Sequence, residues 1–140
     1  MADITARTDE QHQQGVQFAL KMGAEKIVEG ALVSVNSSGY AVNAGDDAGA
    51  VFAGVAQETV DNSAGAAGDT EIVVRSGGIV QLGAAFSAAQ TNVGDEVTLS
   101  DNHTVDVAGT TTNDVVCGRI QKVVSSSVVR VALYPFGSKR

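Results

Sequence analysis

The apolar residues of this chain fall mostly in short runs with a period of two, the spacing of strands that bury one face. Val16, Phe18 and Leu20 alternate with Gln17, Ala19 and Lys21, which predicts a first strand with one apolar face. Ala31, Val33 and Val35 share a face of a second strand, the turn Ser37-Ser38-Gly39 follows, and Tyr40-Ala41-Val42 returns as a hairpin. The same design recurs as Val97-Thr98-Leu99, the turn Asp101-Asn102-His103, and Thr104-Val105-Asp106-Val107. Gly77-Gly78 divides the run ending in Arg75 from Ile79-Val80-Gln81-Leu82, either as a two-residue hairpin turn or as a bulge in a longer strand. Residues 84–90, Ala-Ala-Phe-Ser-Ala-Ala-Gln, are the one stretch with helical propensity, about two turns long.

The pattern repeats at a longer scale. Val51-Phe52-Ala53-Gly54-Val55-Ala56-Gln57 returns 64 residues later as Val115-Val116-Cys117-Gly118-Arg119-Ile120-Gln121. Carried without a gap from Gly30 to Val60, this offset gives eight identities in 31 positions. Roughly two or three would arise by chance in a chain so rich in Ala, Gly and Val. Both copies also reach a Val-Val-Arg, ending at Arg75 and at Arg130, with a nine-residue insertion in the first copy. On that alignment the two arginines occupy equivalent outward positions of a solvated rim. The expected fold is all-β: a small barrel or sandwich of two similar repeats, about 28–82 and 92–134, with one short helix between them. Residues 1–15 are expected to be an arm, flexible in isolation, 16–136 one β domain, and 137–140 a tail.

Composition narrows the function. With 140 residues, 44% hydrophobic and 18% charged, the chain can close one core, and with six aromatics that core must be built from small aliphatic side chains. A net charge of −7 without a basic cluster in the sequence argues against a nucleic-acid partner. No apolar run approaches a membrane span, and the first ten residues lack the apolar core of a signal peptide. No membrane partner is therefore expected, and the site of synthesis is expected to be the cytosol.

Candidate chemistry is sparse. Cys117 lies in an apolar run and reads as a buried small hydrophobe. His12 falls in the polar arm and His103 in a hairpin turn, so both are expected on the surface rather than beside a nucleophile. The carboxylates Asp46, Asp47, Asp61, Asp69, Asp95, Glu96 and Asp101 are scattered over turns, without the ligand spacing of a calcium loop. The glycine-rich stretch around Gly65 lacks the lysine and following helix of a phosphate loop. No catalytic residue, cofactor or metal is expected, and an enzyme is disfavoured.

From Val28 to Leu133 the order of elements resembles the tailed-phage head decoration, or capsid cement, proteins. The matching stretches are Glu29-Gly30-Ala31-Leu32-Val33-Ser34-Val35, Phe52-Ala53-Gly54-Val55-Ala56-Gln57 with the Ala/Gly/Asp loop after it, and Glu71-Ile72-Val73-Val74-Arg75-Ser76-Gly77-Gly78-Ile79-Val80-Gln81-Leu82. They continue as the run from Ala89 to Leu99, Val116-Cys117-Gly118-Arg119-Ile120-Gln121, and Val128-Val129-Arg130-Val131-Ala132-Leu133. The resemblance implies a β domain on the outer surface of an icosahedral phage capsid, cross-linking major capsid subunits, often as a homotrimer. It also implies an N-terminal arm that orders on the shell. Asp3, Ile4, Thr5, Arg7 and Thr8 are the arm residues expected to make that contact, by adding a strand to a capsid sheet edge. The alternative is a tail or baseplate β module that recognises a host surface glycan or protein, although a chain without Trp is poorly equipped to stack on sugar rings.

Overall fold

Period-two patterning and glycine turns build a molecule whose regular secondary structure, among the described residues, is almost entirely β. The structure, a computed structural model, describes residues 16–136. Repeat one contains β1 (Gln17–Lys21), β2 (Lys26–Ile27), β3 (Leu32–Val35), β4 (Ala41–Asn43), β5 (Val51–Ala56), β6 (Val60–Asp61) and β7 (Glu71–Arg75). Repeat two contains β8 (Ile79–Ala84), β9 (Glu96–Leu99), β10 (Thr104–Val107), β11 (Val116–Ser125) and β12 (Val128–Leu133). Repeat two is a closed five-stranded barrel with neighbours in the order β8-β12-β11-β9-β10, and repeat one is a sheet in the matching order β1-β7-β5-β3-β4.

The closures correspond as well. In repeat two, β10 runs parallel to β8, with Val105 opposite Ala84. In repeat one a single parallel bridge, Met22 to Ala41, takes the same place. The next amide donates alike in both, Gly23 N–H to the Ala41 carbonyl and Ala85 N–H to that of Val105, each at 2.8 Å. The small two-stranded sheet of β2 and β6 is an addition of repeat one.

Strand register corrects the boundaries expected from sequence. β1 pairs antiparallel with β7 (Gln17 opposite Arg75) just as β8 pairs with β12 (Ile79 opposite Ala132). The repeats therefore open at β1 and β8 rather than near residues 28 and 92, and Ile79-Val80-Gln81-Leu82 starts the second repeat instead of ending the first. Val55 lies opposite Arg75, and its counterpart Arg119 lies opposite Ala132. Arg75 thus corresponds to Ala132, and Arg130 to Val73. The shared Val-Val-Arg is two residues out of register, a slip that alternating strands conceal because it leaves every side chain on its own face.

Two further expectations change. Gly77-Gly78, with φ of +77° and +90°, is neither a hairpin turn nor a bulge. β7 and β8 lie in different sheets, and the two glycines carry the chain across. Residues 84–90 are not a helix. Ala84 still belongs to β8, Ala88 donates its N–H to the Ser126 carbonyl at 2.9 Å, and the helical piece that forms is one 3₁₀ turn, Gln90–Asn92. Two turns of alanine propensity yield to barrel closure and to burial of Ala88.

The interior divides into two clusters. One is the inside of repeat one: Met22, Val33, Ala41, Ala53, Ala56, Ile72 and Val74. The other fills the barrel of repeat two with Leu82, Val97, Leu99, Val105, Cys117, Ile120, Val129, Val131 and Leu133, and also includes Leu32, Phe52 and Val55 from repeat one. β3 and β5 are consequently buried on both faces, where the sequence pattern assigns β3 one: Val33 points into its own sheet and Leu32 toward its neighbour. The counterparts of Leu32, Phe52 and Val55 in repeat two are Glu96, Val116 and Arg119. One scaffold face is thus apolar where the other repeat covers it, and largely polar in the copy that is left uncovered.

Candidate interaction surfaces

Three places on this frame bring polar or exposed groups together. The first is the junction of the repeats. Asp46 accepts the N–H groups of Thr112 and Asn113 at 2.9 and 2.7 Å, and Asn113 Nδ2 returns a bond to the Asp46 carbonyl at 2.8 Å. On the other side of β3, Leu32 N–H donates to the Asn102 carbonyl at 2.9 Å, and Asn102 Nδ2 to Asn43 Oδ1 at 2.9 Å. The β9–β10 turn that carries His103 is therefore a dock for repeat one. A cleft of about 180 Å³ opens beside this junction, walled by Phe52, Val115, Tyr134 and Pro135, with Asp47 and Asn113 on its rim. Tyr134 Oη donates to Glu96 at 2.7 Å, and burial followed by that bond raises its pKa.

The second is the point where the described chain begins and ends. The Val16 carbonyl accepts the Ser76 N–H at 3.1 Å, while Ser76 Oγ accepts the Phe136 N–H at 2.6 Å. Phe18 and Phe136 stack at 5.1 Å between centroids. Val16 has φ of +45°, so the backbone bends sharply where it enters β1. Both ends of the described chain thus meet at Ser76, beside the crossing between repeats. The arm residues Asp3, Ile4, Thr5, Arg7 and Thr8, with His12, lie outside the described residues.

The third is the outer face of β8, β12 and β11. Gln81 lies opposite Arg130, Arg130 opposite Lys122, and Ile79 opposite Ala132, all on the side away from the core. The sequences of these three strands contain no Asp or Glu. Arg130 Nε donates to Gln81 Oε1 at 3.4 Å, and Arg119 Nη1 to the Gly94 carbonyl at 3.0 Å. The cations Arg119, Lys122 and Arg130 come from the consecutive strands β11 and β12, and Gln81 and Ile79 join them only when β8 pairs with β12.

Reactive groups lie elsewhere and are engaged structurally. Cys117 is fully buried, and burial, then the charge of Glu96, pushes its thiol up to about 12. His103 is exposed, and its backbone N–H donates to Asp101 Oδ1 at 2.8 Å. Asp61 accepts from Ser63 and is held below the usual carboxylate range by those bonds, and Asp69 accepts the Ala66 N–H. These are the local turn bonds that favour Asp in such loops. Among the described residues no three His, Cys, Asp or Glu side chains converge on a point that could hold a metal ion.

Comparison with family models and with curated proteins finds no match.

Proposed function

We propose that the chain is a virion structural protein that decorates the outer surface of an icosahedral phage capsid and stabilises it by cross-linking major capsid subunits. The observation that supports this reading is the meeting of both ends of the described residues, Val16 and Phe136, at Ser76. A β body built from two matching repeats would then direct the chain before Val16 from one fixed point beside the crossing between the repeats. The resemblance of residues 28–133 to cement proteins points the same way. In this reading residues 2–14 add main-chain hydrogen bonds to a capsid sheet edge, and many copies on one shell supply avidity. The working unit is a homotrimer on the virion exterior, assembled from protein made in the host cytoplasm.

Deletion of residues 2–14 tests the arm. The truncated protein is expected to keep its β circular dichroism and thermal transition and to lose co-sedimentation with purified expanded shells. Full occupancy by the truncated protein refutes the role of the arm. Sedimentation velocity of the intact protein checks the trimer. Binding to host cells rather than to shells replaces the proposal with a tail or baseplate adhesin module.

A further inference from the structure

Duplication supplies an internal control for the surface of repeat two, because each outward position has a counterpart built on the same scaffold. By register and offset, Lys122 corresponds to Glu58, Arg130 to Val73, Gln81 to Ala19 and Ile79 to Gln17. Glu58 is occupied in repeat one, accepting the Val73 N–H at 3.0 Å. The cations of repeat two are thus not a requirement of the fold.

Their arrangement also opposes stability. Lys122 and Arg130 are exposed and directly opposed across β11 and β12, and like charges in that relation repel. On the same face, opposite Ala132, Ile79 is 56% exposed, the highest value among the large apolar residues described. A cationic pair on the same outer face as an exposed aliphatic side chain, on strands free of carboxylates and in a chain of net charge −7, forms a local surface opposite in sign to the rest. Such a surface steers and orients an anionic partner. Ile79 follows Ser76 by three residues, so the face adjoins the point from which the arm departs.

We infer that the outer face of β8, β12 and β11 docks an acidic protein surface, with Lys122 and Arg130 meeting carboxylates and Ile79, on the β8 side of the same face, packed against the partner. Resting on the capsid reading, this surface is the body's own contact with the shell, separate from the arm. Both sides of the contact stay partly hydrated, so the cations set orientation and association rate while Ile79 supplies buried area.

The test uses the full chain in three forms: wild type, K122E/R130E, and K21E/K26E. The last makes the same charge change at exposed lysines of repeat one. Expanded shells and immobilised poly-L-glutamate serve as probes. Wild type and K21E/K26E are expected to bind alike, while K122E/R130E loses affinity by about tenfold or more with an unchanged thermal transition. Wild type that binds poly-L-glutamate in this variant-sensitive way but ignores shells removes the capsid reading and keeps the docking face. Equal binding of K122E/R130E and wild type to a probe that holds the wild type overturns the face and leaves the capsid reading intact. Wild type that binds neither probe, or prefers duplex DNA or phosphatidylserine vesicles to poly-L-glutamate, also overturns it.

Discussion

Gly54 and Gly118 are the paired positions where the two repeats can be perturbed identically. A Cβ on Gly54 would stand 2.2 Å from the Arg75 carbonyl oxygen and 2.9 Å from Val74 Cγ1. On Gly118 it would stand 2.3 Å from the Ala132 oxygen and 2.8 Å from Val131 Cγ1. Relief requires a main-chain displacement of about 1 Å in a neighbouring strand, because ordinary contacts begin well beyond these distances. Overpacking against backbone costs about 1–3 kcal/mol, and an alanine that stiffens the unfolded chain returns only about 0.4–1 kcal/mol. Gly54→Ala and Gly118→Ala, with contacts at the severe end of that range, are each expected to lose about 1.5–2 kcal/mol net, with a fall in Tm of about 5–7 °C for a chain of this size. The control is Gly30→Ala, at φ of +90° with nothing within 4 Å, where only left-handed strain of about 1 kcal/mol applies. Urea unfolding of the three variants checks the order. If Gly54→Ala lies within about 0.5 kcal/mol of wild type, or is milder than Gly30→Ala, the close-approach argument is wrong.

Phe52 is 5% exposed at the junction, so Phe52→Ala is expected to cost about 3–5 kcal/mol by denaturant melt. Its half-buried counterpart Val116 should cost much less on truncation to Ala, and equal losses would contradict the asymmetry of the two faces. Cys117 should resist thiol reagents at neutral pH until the protein is unfolded, and prompt labelling of native protein would contradict its burial. Its folded pKa of about 12 lies above the ordinary 9.0, so the folded state keeps a proton that the unfolded thiol releases. Stability should therefore fall as pH rises from about 9 toward 12, by up to about 1.4 kcal/mol per pH unit from this group. Cys117→Ala should flatten that part of the profile relative to wild type.

The sequence exposes what repeats in register and conceals what repeats only in pattern. β3, β4 and β5 were legible with their counterparts because one ungapped offset of 64 holds across them and Gly54 and Gly118 are both indispensable. β1 and β8 share a place in the fold but only one identity, Leu20 with Leu82, since a barrel strand asks for alternate apolar residues and little else. Val-Val-Arg misled for the opposite reason: identity without equivalence, offset by an even number of residues. The cationic face was missed in the chain because register shifts in the β11–β12 pairing decide that Lys122 meets Arg130, and because Gln81 and Ile79 join them only when β8 pairs with β12. The arm residues singled out as candidate contacts fall outside the described residues, and their role rests on the proposed function.

The meeting of Val16 and Phe136 at Ser76 has a consequence for how the polypeptide could be rewired. Since the two repeats have one strand order and the Gly77-Gly78 crossing starts at that same spot, a short linker from Phe136 to Val16 with a cut between the glycines would interchange the repeats along the chain while leaving each strand pairing in place. Such a circular permutant of residues 16–136 keeps the junction at Leu32 and Phe52, and its new ends fall next to Ser76, the residue that holds Val16 and Phe136.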